Sequence, residues 1–195
     1  MAETEGLRER TRRAVQTDIA ATAMELFLEH GFDAVTMDQI AQQAGVSRRS
    51  LFRYFGTKED LVLGNLAEMG RESAGALRAR PDHEPPWTAL RQAFEVVAGS
   101  SSFSPERAFK ISKMVHGTPS LRARRLEKQL TWLDIMVPEI RRRLTGDDAD
   151  LRARAIVSSA LACLDTATEI WLKRNGKGRI EQLYDEAVAA VRESD

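Results

Sequence analysis

Apolar residues recur three and four positions apart along nearly the whole chain, while alternation rich in Val, Ile and Thr is almost absent. Only a helix places residues so spaced on one face. The expectation is an all-α fold, divided into about nine helices by glycine and proline breaks.

The breaks order the first third of the chain. A helix is expected from near Arg12, with Val15, Ile19, Ala23, Leu26 and Phe27 on one face, to His30-Gly31, where glycine permits a left-handed cap. Thr36-Met37-Asp38-Gln39 fits a capping box, in which the threonine hydroxyl accepts an amide and Gln39 reaches back to the cap. The short helix it opens carries Ile40, Ala41 and Ala44 and ends at Gly45-Val46. Ser47 is a good N-cap for a second short helix through Phe55, and Thr57 with Asp60 caps a longer one, expected from Lys58 to Arg80. Arg80-Pro81-Asp82-His83-Glu84-Pro85-Pro86 cannot continue it, since proline removes amide donors and restricts the preceding residue. Further helices are expected over 87–98, 105–116, 119–144 with a bend at Pro138, 147–174 and 180–191.

Charge narrows the function. The chain has 195 residues, enough for one or two domains, with 29 Lys+Arg against 29 Asp+Glu. Such balance excludes a uniformly basic nucleic-acid binder, so contact with phosphate requires a local cluster. One exists: between Val46 and Lys58 stand Arg48, Arg49, Arg53 and Lys58 with no acid among them. Behind a capped helix and a glycine turn, this is the pattern of a helix-turn-helix whose second helix enters the major groove. Arginine can grip guanine O6 and N7 with two donors, Ser50 suits base edges or phosphate, and Phe52 suits a thymine methyl. Leu51 and Phe55 should face inward, with Ala44, Ile40, Ile19, Leu26 and Phe27.

The run from Gly31 through Thr36-Met37-Asp38-Gln39-Ile40-Ala41 to Ser47, followed by Leu51-Phe52-Arg53-Tyr54-Phe55-Gly56-Thr57-Lys58-Glu59-Asp60-Leu61, resembles the TetR family of bacterial transcriptional regulators. The resemblance implies a DNA-binding domain at 1–58 and a larger ligand-binding and dimerisation domain at 59–195. It implies that Tyr54 and Lys58 touch the DNA backbone, that Thr36 anchors a helix on phosphate, and that Ser47, Arg48, Arg49, Ser50 and Phe52 belong to the base-reading stretch. Phe52 departs from the family's more usual tyrosine. The second domain would bury an inducer and dimerise through its last two long helices. There the small residues Ala155, Ser159, Ala162 and Cys163 and the apolar Leu183, Ala187 and Val191 are the candidate interface. A further resemblance is to a subgroup associated with acyl-CoA-like ligands.

Other residues carry two readings each. Phe94, Phe109, Met114, Trp132, Met136 and Trp171, with Trp87, could line an apolar pocket, but large residues at helical spacing are more often plain core. Arg122, Arg124, Arg125 and Lys128 could meet an acidic inducer or form a solvated surface. Arg8, Arg10, Arg12 and Arg13 fit a disordered tail as well as a phosphate or minor-groove contact. Three scattered histidines without an HExxH motif give no metal site, and no cofactor is expected. The lone Cys163 forms no intrachain disulfide, and no apolar run of 18 residues occurs, so a cytoplasmic protein without membrane partners is expected. The expected function is a homodimeric regulator, a repressor released from a palindromic operator by a small lipophilic or acyl-CoA-like molecule. A constitutive DNA-binding module and an α-helical enzyme are the alternatives; the enzyme lacks a nucleophile set, phosphate loop or metal set.

Overall fold

Local capping chemistry sets the helix boundaries seen in the computed structural model, which describes residues 6–99 and 103–192. Among the described residues there are ten helices and no strand. They are α1 (Leu7–His30), α2 (Met37–Gln43), α3 (Arg48–Tyr54), α4 (Lys58–Leu63), α5 (Leu66–Ala79), α6 (Pro86–Gly99), α7 (Pro105–Gly117), α8 (Pro119–Arg141), α9 (Ala149–Lys173) and α10 (Ile180–Arg192). Three of these begin on a proline, whose fixed φ suits the first helical position and whose missing amide would be unpaired there anyway.

The largest departures from the sequence expectation are at α1 and at the helix after Thr57. Helix α1 starts at Leu7 rather than near Arg12, because Leu7-Arg8-Glu9-Arg10 are good helix formers. Arg8, Arg10, Arg12 and Arg13 are thus helical and exposed. The helix expected from Lys58 to Arg80 is broken after Leu63, and α5 restarts at Leu66. Counting α4 and α5 as that one broken helix gives the nine expected. At its far end α8 passes Pro138 and stops at Arg141, beyond which the amides of Arg143 and Leu144 bond three residues back in tighter turns.

The chain divides into two units, one of Met1–Gly64 with Thr118–Leu121, the other of Asn65–Gly117 with Arg122–Asp195. The division after Gly64 rather than after Lys58 reflects α4, which packs on α1 and buries Leu61, Val62 and Leu63. In the first unit Ile19, Phe27, Ile40 and Leu51 are almost wholly buried, joined by Phe32 and Val35 from the α1–α2 turn. Each such side chain contributes roughly 1.5–3 kcal/mol by leaving water. Of the expected core, Leu26 and Ala44 are only half-buried.

In the second unit α9 is central, packing on α6, α7 and α10. Its length and composition alone would suit a membrane span. Ala153, Val157 and Ala160 are instead fully enclosed, as in the core helix of a globular unit.

Candidate nucleic-acid interface

The capping box forms as expected. Gln39 N donates to Thr36 Oγ1 at 3.3 Å, and Thr36 N and Oγ1 donate to Gln39 Oε1 at 2.8 and 3.0 Å. Thr36, expected to anchor a helix on phosphate, therefore has both amide and hydroxyl engaged within the cap. Gly45 takes φ +65°, where L side chains are strained, and so permits the turn into α3.

Helix α3 starts at Ser47, whose Oγ accepts from the Ser50 amide at 3.1 Å and donates to Ser50 Oγ at 3.0 Å. Its inward face is Leu51, 0% exposed, backed by Phe55 just beyond its end. The opposite face carries Arg48, Arg49, Phe52 and Arg53, all exposed. Arg48 Nη1 lies 3.3 Å from Asp38 Oδ2 on α2 and its guanidinium carbon is 5.7 Å from the Phe52 ring centre. Arg53 stacks 5.1 Å from the ring of half-buried Tyr54. Among the described residues no acid pairs with Arg49. Its guanidinium is presented to solvent beside Phe52, which is 44% exposed although large and apolar.

An exposed phenyl ring between arginines, on a helix with no acidic residue in its first turn, suits contact with nucleic acid: the cations neutralise phosphate or grip guanine, and the ring meets a thymine methyl. Sequence reasoning missed the pairing of Asp38 with Arg48, whose signal is an acid in the first turn of the preceding helix.

Lys58, expected on the DNA backbone, points elsewhere. Its Nζ donates to the carbonyls of Phe32 at 2.7 Å and Val35 at 2.9 Å, and lies 4.5 Å from the Phe32 ring centre. A shallow hollow of about 250 Å³ lies in the same unit, lined by Leu26, His30, Val35, Gln39 and Gln43 among others.

In the second unit the pocket candidates are packed as core. Phe94, Trp132, Met136 and Trp171 are buried, and Phe109 and Met114 half-buried. Phe109 packs edge-on to Trp171 and Phe94 edge-on to Tyr184. The basic run on α8 is not uniformly solvated. Arg125 is 8% exposed and donates to Asp165 Oδ1 at 2.5 Å; the same oxygen lies 3.5 Å from His116 Nε2, whose Nδ1 donates to the Ser112 carbonyl at 2.9 Å. Arg122 pairs with Glu169 and Arg124 with Glu127.

The interface candidates separate by exposure. Ala155, Ala162 and Val191 are exposed, and Ser159 and Ala187 half-buried. Cys163 and Leu183, at 4% and 6% exposed, pack into the core of the second unit. Leu151, 74% exposed one turn before Ala155, extends the exposed face of α9 and was missed. Burial also raises the Cys163 thiol and the Tyr184 phenol above their ordinary titration ranges. Among the described residues no three His, Cys, Asp or Glu side chains gather as a metal set.

Comparison with known proteins agrees with this geometry. Residues 19–64 match the family described as bacterial regulatory proteins, tetR family, and residues 84–194 match the MftR C-terminal domain. MftR of Mycobacterium tuberculosis is 28% identical over 174 residues, covering 89% of this chain and 88% of its own. The HTH-type transcriptional regulator TcmR of Streptomyces glaucescens is 30% identical over 176 residues, 87% of this chain and 78% of its own. Among solved structures, Thermus thermophilus FadR, a TetR family transcriptional repressor in complex with lauroyl-CoA, has the same fold at 20% identity, with a TM-score of 0.58 over 89% of this chain and 91% of that one. The second family match alone spans more than half of the 195 residues. This chain thus belongs to the TetR family of bacterial regulatory proteins, as a DNA-binding transcriptional regulator and not an enzyme.

Proposed function

We propose that this regulator acts in the cytoplasm as a homodimeric repressor, with one α3 from each subunit in successive major grooves, about 34–36 Å apart, on a pseudo-palindromic operator. The observation that carries this reading is the outward face of α3: Arg49 and Phe52 stand in solvent while Leu51 and Phe55 fix the helix from behind. Arg49 and Phe52 read bases. Arg48, Ser47, Ser50 and Tyr54 order the helix and line its approach to the backbone, and Thr36 sets the start of α2 behind it. The exposed stripe of Leu151, Ala155 and Ala162 on α9, with Ala187 and Val191 on α10, forms the subunit contact, the small residues letting helices approach closely.

The inducer is an acyl-CoA-like or other lipophilic molecule bound in the second unit. Support comes from the lauroyl-CoA bound to FadR, a protein of the same fold, and from the aromatic content of the core. Entry of an acyl chain would part ring pairs such as Phe109 and Trp171. A coupling of about 1–3 kcal/mol, roughly 5- to 150-fold in affinity, suffices to release DNA.

The test is selection of duplexes from a random pool by the purified full chain, followed by titration with lauroyl-CoA. A palindromic consensus bound two subunits at a time, with affinity falling on addition of lauroyl-CoA, is expected. Recovery of no consensus overturns the DNA assignment. A consensus whose affinity is indifferent to acyl-CoAs of any length favours a constitutive binder.

A further inference from the structure

Lys58 occupies the first residue of α4, a position where a cation is disfavoured, because unpaired amides make a helix N-terminus positive. Its side chain runs back to the turn joining α1 and α2. There the ammonium donates to the Phe32 and Val35 carbonyls at 2.7 and 2.9 Å and sits 4.5 Å from the Phe32 ring centre, in a half-buried setting. Phe32 and Val35 are themselves 5% and 3% exposed, so this turn belongs to the core of the unit. Val35 is followed at once by Thr36, the cap that fixes where α2 begins, and α2 in turn holds Arg48 of α3 through Asp38. Two of the ammonium's three donors are thus spent on backbone carbonyls of this one turn, which hold the ammonium there.

We propose that Lys58 is a positioning residue of the DNA-reading unit rather than a phosphate ligand: it clamps the α1–α2 turn to the start of α4 and so sets the placement of α2 and α3. The last step rests on the DNA-binding reading above; the clamp itself does not. The chain leaves the unit through α4 at Gly64. Displacement of α4 is therefore passed by this ammonium to the turn from which α2 springs, a route independent of side chains on α3.

The test uses the full chain as wild type, Lys58→Met, which keeps length but has no donor, and Lys58→Arg, which keeps charge but replaces the point ammonium with a broad planar fork. Amide hydrogen exchange is measured without DNA, and affinity for a duplex selected by the wild type is measured over a range of salt. Lys58→Met is expected to speed exchange about ten-fold or more over residues 32–45 and to leave α9 unchanged, the size expected for losing charge-assisted hydrogen bonds. Affinity is expected to fall about ten-fold with the same slope of log affinity against log salt, whereas losing a phosphate contact would reduce that slope by about 0.9 per contact. Lys58→Arg should show the same pattern more weakly, and it carries the test if Lys58→Met does not fold. Unchanged exchange in the folded variants, a reduced salt slope, or wild-type exchange and affinity in Lys58→Arg each overturns the proposal. If the wild type selects no duplex, the DNA-binding reading fails while the exchange data still decide the clamp.

Discussion

Gly70→Ala is the sharpest test of packing in the second unit, because helix propensity and tertiary contact give it opposite signs. Gly70 lies inside α5, where alanine is favoured over glycine by about 0.8–1.0 kcal/mol. An added Cβ would meet Trp132 Nε1 at 2.6 Å and Cδ1 at 2.7 Å, well inside van der Waals contact. The indole cannot swing away freely: Trp132 is 5% exposed and its Nε1 donates to the Leu66 carbonyl at 3.0 Å. Overpacking costs about 1–3 kcal/mol, and a buried N–H forced off its acceptor costs about 1–3 kcal/mol more. The net is a destabilisation of about 1–5 kcal/mol. At roughly 2–4 °C per kcal/mol for a chain of this size, a loss near about 2 kcal/mol lowers Tm by about 4–8 °C. Gly75 on the same helix has nothing within 4 Å of an added Cβ, so Gly75→Ala should raise Tm by about 2–4 °C. Tryptophan fluorescence is the proper readout, since Trp87, Trp132 and Trp171 all belong to the second unit. Adding Trp132→Phe to Gly70→Ala should recover part of the loss, as the smaller ring leaves room for the methyl. If Gly70→Ala stabilises as Gly75→Ala does, the close approach of α5 and α8 at this point is wrong.

Arg49→Ala should weaken binding to a selected duplex by about 1–3 kcal/mol and relax preference at one base position, and an isotherm like wild type at several salt concentrations would remove this side chain from base reading. Burial raises the Cys163 thiol, so a thiol reagent at pH about 8 should label the native protein far more slowly than the denatured chain; equal rates would contradict its place in the core. Hydrogen bonds from Arg80 hold the Glu84 carboxyl below its ordinary range. A group lowered on folding stabilises fully above its unfolded pKa, and the contribution is lost as pH falls through the folded value. Fluorescence-detected acid unfolding should accordingly show wild type losing more stability than Glu84→Gln below about pH 4.5; parallel curves would mean that the Arg80 pair contributes nothing.

Much of the reading head was legible because its determinants are local. Thr36 and Gln39 are three residues apart, as are Ser47 and Ser50, and the inward placement of Leu51 and Phe55 follows from helical spacing alone. The break at Gly64 was legible only as a weak point: glycine lowers helix propensity there as it does at Gly70 and Gly75, but Gly64-Asn65 carries no proline, and α4 ends where Leu61, Val62 and Leu63 bury within the first unit. Among the second-unit candidates, Trp132 and Leu183 show the limit of pattern reading. An apolar residue at helical spacing is equally suited to a pocket wall, a subunit contact or plain core, and only the packing around it distinguishes these.

The sequence by itself determined the all-helical class, the positions of the caps and turns, and the exposed basic face of α3, because each depends on residues within about one turn of one another. Tertiary structure decided what the charges do. Lys58 meets carbonyls 23 and 26 residues away, and Arg125 meets a carboxylate 40 residues away. Whether an ammonium faces phosphate or a carbonyl, and whether an arginine is solvated or buried, depends on which distant groups the fold brings within about 3 Å, and no local periodicity encodes that distance.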